Sequence, residues 1–158
     1  MYLAIKRLHS QSVSLAAKFE RGGGTDCIDE AIDLDREALK LSPPGHPVRS
    51  VSLTCLAIHL HSRYSQLGSM RDLDEAIVLD REALDLHPKG HPDRSLSLSE
   101  LSGDLSTRYK QLGLVEDLDE AIVLGREALD LRPRGHPSRP MSLTNLAVYL
   151  FNRYKLRG

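Results

Sequence analysis

Tryptophan is absent from this chain of 158 residues, and the 5 tyrosines and 2 phenylalanines bring aromatics to only 4%. β-Sandwiches and barrels draw on aromatic and β-branched residues for their pleated faces. Here 28 leucines take that place, which favours helices. The 2 cysteines, Cys27 and Cys55, are too few for the disulfide framework of a small secreted domain. No apolar run approaches the ~20 residues that a membrane helix needs. Charge of one sign is also lacking: 21 basic residues face 22 acidic ones, for a net of −1. No global field then attracts polyanions or acidic membranes, so neither nucleic acid nor membrane is expected as a partner. A cytoplasmic protein with an ordinary buried core is the expectation.

What is present is repetition, with a period of 45 residues. Gly45-His46-Pro47, Gly90-His91-Pro92 and Gly135-His136-Pro137 keep that interval. So do the Asp-Glu-Ala-Ile runs beginning at Asp29, Asp74 and Asp119, and the Arg-Tyr pairs at Arg63, Arg108 and Arg153. Residues 23–67 match 68–112 at 26 of 45 positions, and 68–112 match 113–157 at 27 of 45. Continued backwards, the register places Leu8 under Leu53, Leu15 under Leu60, Lys18 under Arg63 and Phe19 under Tyr64. The chain therefore reads as one domain, 1–158, made of a half-repeat 1–22 and repeats 23–67, 68–112 and 113–157. This register explains the basic, serine-containing N-terminus better than a transit peptide does.

Each period holds two helices. The shorter, near Leu73 to Leu86, has Leu73, Ala76, Ile77, Ala83 and Leu84 on one face. Asp72 with Glu75, and Asp117 with Glu120, predict capping boxes, whereas Cys27 occupies that position in the first copy. Pro43, Pro88 and Pro133 stop this helix. The longer helix is expected to begin at Gly-His-Pro with proline in its first turn. Leu53, Leu56, Ala57, Leu60, Tyr64 and Leu67 form its stripe, and Gly68 and Gly113 close it, with Gly158 in register. Gly22-Gly23-Gly24 reads as an irregular bend. An all-α chain of about seven helices, arranged as an α-solenoid of antiparallel pairs, follows because one pair cannot bury its apolar faces alone.

Leu56-Ala57, Leu60, Gly68, Asp74-Glu75-Ala76, Ala83 and Pro88 stand in the order of the tetratricopeptide repeat, which this sequence resembles along essentially its whole length. Ala76, Ala83 and Pro88 keep that family's spacing, as do Ala31, Ala38, Pro43 and Ala121, Ala128, Pro133. The period is longer than the family's usual one. It is most similar to kinesin light chain-type repeats and to fungal arrays that accompany nucleotide-binding or caspase-like domains. The resemblance implies a right-handed superhelix. Where the family's second helix carries an aromatic, this chain has Asp35, Asp80 and Gly125. Arg63-Tyr64 and its copies are expected to fill that space and pair with the aspartate.

Candidate chemistry is sparse. His46, His91 and His136 recur once per period, which marks a structural part of the turn. Cys55 and His59 share a helix face but have no counterpart in the other repeats, so neither a zinc pair nor a nucleophilic dyad is expected. No phosphate-binding loop is present. No catalytic residue, metal or cofactor is therefore expected. The rows Arg36, Arg81, Arg126 and Glu37, Glu82, Glu127, with the Arg49 series, read as solvated faces or ion pairs between repeats.

The resemblance implies a protein-interaction scaffold that takes a peptide or partner protein on a concave face lined by the first helices. Carried over by position, its lining is Val51, Thr54, Ile58 and His61, then Leu96, Ser99, Gly103 and Ser106, then Met141, Thr144, Val148 and Phe151. The basic clamp for chaperone carboxylate tails is missing, so an uncharged or amphipathic segment suits this surface. The alternative is a regulatory or sensor fragment of a larger protein, nucleotide-binding or caspase-like, whose catalytic domain lies elsewhere. The last helix, with Met141, Leu143, Leu146, Val148, Leu150, Phe151 and Tyr154, is apolar nearly all round. It is expected to meet further repeats or to self-associate end to end.

Overall fold

A computed structural model describes residues 1–156 as seven helices, with no strand among the described residues. They are α1 (Tyr2–Glu20), α2 (Thr25–Lys40), α3 (Arg49–Leu67), α4 (Met70–Asp85), α5 (Arg94–Leu112), α6 (Val115–Asp130) and α7 (Arg139–Lys155). Arg157, and Gly158 with its expected closing role, lie outside the described residues. Within α1–α4 and within α5–α7 the short connections make successive helices antiparallel neighbours. The chain divides into two compact units, Met1–Leu86 and His87–Gly158.

In the first unit α1 packs on α2 and α3, α2 on α3, and α3 on α4. Ala16, Phe19, Ile28, Ile32, Leu53, Leu56, Leu60, Ala76 and Leu79 form its core. Small alanines on the second helices let the leucines of the first helices approach closely. In the second unit α5 packs on α6, α6 on α7, and α5 touches α7. Leu98, Leu101, Leu105, Leu118, Ala121, Leu146 and Tyr149 are buried there.

Helix ends depart from expectation in instructive ways. α4 starts at Met70 after Ser69, three residues before Leu73, and no side chain caps it. Asp72 is therefore inside the first turn rather than at the cap, and Asp117 is likewise inside α6. Pro47, Pro92 and Pro137 precede their helices by two residues instead of opening them. They belong to a double turn. His46 N–H donates to the Pro43 carbonyl across Gly45, whose φ is +86°, and Arg49 N–H donates to the His46 carbonyl. Glycine at this third position with positive φ is the signature of a type II turn. The histidine then accepts a backbone N–H on Nδ1, from Val48 at 3.4 Å, Asp93 at 3.1 Å and Ser138 at 3.1 Å in the three copies. Proline between them offers no competing donor.

Gly68 and Gly113 close α3 and α5 in the left-handed region, as expected, at φ +73° and +71°. The glycine run after α1 is more regular than a bend. Gly22 N–H bonds the Phe19 carbonyl and Gly23 N–H the Lys18 carbonyl, the paired closure of a Schellman motif.

Candidate functional site

The lining positions lie on three first helices. Val51, Ile58, Leu96, Met141, Thr144, Val148 and Phe151 are exposed; Thr54, His61, Ser99 and Gly103 are half-buried. Ser106 is buried beneath the stripe, out of reach of a partner. On α3 the residues recur at intervals of three, four and three, which keeps them on one helix face. The same register positions, 51, 96 and 141, hold Val, Leu and Met, all exposed.

Several arginines and glutamates of the charged rows are used internally. Arg49 donates Nη1 to the Ser42 carbonyl at 2.8 Å and Nε to Glu82 at 2.7 Å. Arg94 does the same with His87 and Glu127, and Arg139 reaches the Arg132 carbonyl. Arg36 pairs with Glu75 at 3.1 Å. Each such arginine ties the carbonyl end of one second helix or its glutamates to the neighbouring repeat, which satisfies carbonyls left open by helix ends.

The expected Arg63 to Asp35 pair does not form. Arg63 instead grips Asp72 of α4 through Nε and Nη2, both at 2.7 Å, and reaches Asp29 of α2 through Nη1 at 2.7 Å. Arg108 grips Asp117 in the same forked way. Cys27, where the other copies have aspartate, therefore coincides with Lys18 where the others have arginine. Asp35 is fully buried and meets His59 Nδ1 at 2.5 Å. At the equivalent place in the second unit, Tyr149 fills the space beside Gly125, 3.5 Å from where a Cβ would stand. The aromatic missing from the second helix thus returns from the following first helix. Tyr64 is buried as expected.

Cys55, His59 and Asp35 stand in the order of a nucleophile, base and acid. Burial first, and the Asp35 charge second, push the Cys55 thiol up to about 11. A protonated thiol at neutral pH is not a nucleophile.

α7 presents a second surface. Leu53 and Leu98 are 0% exposed, but Leu143 in the same register is 47% exposed. Leu60 and Leu105 are 0% exposed against 40% for Leu150, and Tyr64 is 8% against 74% for Tyr154. On α3 and α5 these positions are covered by α4 and α6. Beside the uncovered face, Asp119, Ile122, Val123, Arg126, Leu150, Arg153 and Tyr154 line a cleft of about 510 Å³. Arg153 here turns Nε and Nη2 onto Asp119, at 2.6 and 3.3 Å. No helix among the described residues is long and apolar enough to cross a membrane.

No family model matches the chain, and no curated protein matches its sequence. Its fold is similar to a crystal structure from Podosopora anserina, of a chain assigned as a kinesin light chain with nearly identical TPR-like repeats. The two chains are 22% identical, with a TM-score of 0.68 over 92% of this chain. This chain spans 66% of the length of that one. Paired helices on a 45-residue period, together with this likeness, give the conclusion that the chain has the fold of a tetratricopeptide-like repeat solenoid.

Proposed function

We propose that the protein is a non-catalytic interaction scaffold that binds an uncharged or amphipathic segment of another protein along its first helices. The observation that carries this reading is the recurrence of exposed apolar side chains at one register, Val51, Leu96 and Met141, joined by Ile58, Val148 and Phe151. The surrounding arginines and glutamates are engaged within the fold, so contact with a partner would gain by apolar burial, near 25 cal/mol per Å².

The test is capture of partners from native extract by the wild-type chain and by an Ile58→Asp, Leu96→Asp, Val148→Asp variant. A control carries Val78→Asp, exposed on the second helix α4. Proteins held by wild type and control but lost by the triple variant support the reading. Retention by the triple variant, or equal loss from the control, removes it.

The uncovered face of α7 favours a second contact. Its register equivalents are filled by α4 and α6, so the fitting occupant is an amphipathic helix of the same chemistry, with an aspartate in its first turn for Arg153. Further repeats and end-to-end self-association are both routes to such a helix. Light scattering across concentration separates them, since a clean monomer at high concentration removes self-association.

A further inference from the structure

The three repeats share a polar contact that differs in one partner. Residue 42, 87 or 132, just after the second helix, meets a serine in the first turn of the next first helix. Ser42 Oγ bonds Ser52 Oγ at 3.0 Å, His87 Nδ1 meets Ser97 Oγ at 2.7 Å, and Arg132 Nη1 donates to Ser142 Oγ at 2.5 Å. A guanidinium can only donate. Ser142 therefore accepts and passes its own proton to the Ser138 carbonyl, as Ser52 does to Val48. With Nδ1 engaged on Ser97, Nε2 is the His87 ring nitrogen left for a further partner.

That Nε2 is buried and has no hydrogen-bond partner. An unsatisfied buried polar atom costs about 1–3 kcal/mol unless something fills it. The His91 ring stacks on the His87 ring at a centroid distance of 4.2 Å, and the Asp93 carboxylate lies 4.0 Å from His91 Nδ1. One ligand atom from each of His87, His91 and Asp93 falls within 4.8 Å of the others. Only the second repeat has all three groups. Its register equivalents are Ser42 and Arg132 for His87, and Val48 and Ser138 for Asp93.

We propose that His87, His91 and Asp93 form a binding site for a divalent transition ion, zinc above all, with water completing the coordination. Two imidazoles and one carboxylate with an open position are a zinc-type donor set. His91 is part-exposed, and turning toward an ion would give up its bond from Asp93 N–H. Asp93 is the N-cap of α5, where the helix dipole opposes a cation, so micromolar rather than tighter affinity is expected. This site is separate from the scaffold surfaces and stands or falls without them.

Calorimetric titration of the full chain with zinc tests it. His87→Ser and Asp93→Ser each install the residue that another repeat has at that position, so both variants are compatible with the fold. His136→Ser is the control, since its Gly-His-Pro turn lacks the other two ligands. One zinc per chain is expected for wild type and control. A loss of at least ~10-fold is expected for His87→Ser and for Asp93→Ser, the size already typical of removing an outer-shell partner. Zinc should also raise the melting temperature of wild type and leave that of His87→Ser unmoved. Absence of binding, an unchanged affinity in His87→Ser, or an equal loss in His136→Ser overturns the proposal.

Discussion

Arg63 and Arg153 occupy one register position and differ in what their carboxylates are worth. Asp72, which Arg63 holds with a two-pronged grip, is nearly buried, whereas Asp119 under Arg153 is half-exposed. Arg63→Ala leaves Asp72 without its main partner and is expected to lower unfolding stability by about 2 kcal/mol. Arg153→Ala is expected to cost less than ~1 kcal/mol, the range of solvated ion pairs. Urea denaturation of both variants checks the ordering, and equal costs would contradict it. At this scale the sequence was only partly legible. The spacing of Asp72 and Glu75 suits a cap, but the choice between capping and pairing depends on an arginine reaching from the previous helix. The pairing of His59 with Asp35 is hidden for the same reason: neither residue recurs as a pair in the next repeat. The zinc candidate carries a faint signal in His87 and His91, four apart, with Asp93 two further on. It is easily passed over because His91 belongs to a repeating turn.

Whole helices were the most legible features, since the stripes of leucine and alanine recur at helical spacing and the period fixes their number. Their boundaries were less so. A proline two residues before a helix and one at its first position look alike in sequence, and only the hydrogen bonds of the Gly-His-Pro turn separate them. The glycines give a sharper case. Gly113 holds φ +71°, where a side chain is strained, so Gly113→Ala is expected to cost about 1–2 kcal/mol. Gly103, in the middle of α5, has no positive φ and open space where a Cβ would stand. Gly103→Ala is therefore expected to stabilise by roughly 1 kcal/mol. Thermal unfolding of the two variants should move in opposite directions, and a shared direction would refute the assignment.

Across the molecule, half-buried His9 and buried His87 set the pH response. His9 and His87 are both held below 6.5, chiefly by burial, against opposing pulls from Asp35 and Asp93 respectively. Below 6.5 the unfolded chain takes up protons that the folded chain resists, so stability is full above that value and declines as pH falls through it. The melting temperature is expected to drop between about pH 7.5 and pH 5.5, with a shallower slope in His87→Ser. A flat profile would show that neither histidine is held neutral. The repeat architecture was legible at this scale because self-similarity reports it directly. The division after Leu86 was not, since no shift in composition marks it. Repeated units carry a hazard of their own, because a leucine stripe from one repeat can seat on the second helix of another while the chain is folding. The differing pairs, Asp35 with His59 and Gly125 with Tyr149, act against this. Placed out of order, Asp35 would meet the bulk of Tyr149, and Gly125 would leave His59 beside a void. The least repetitive residues thus act as addresses, admitting each helix to its own place in the stack and penalising a shuffled one.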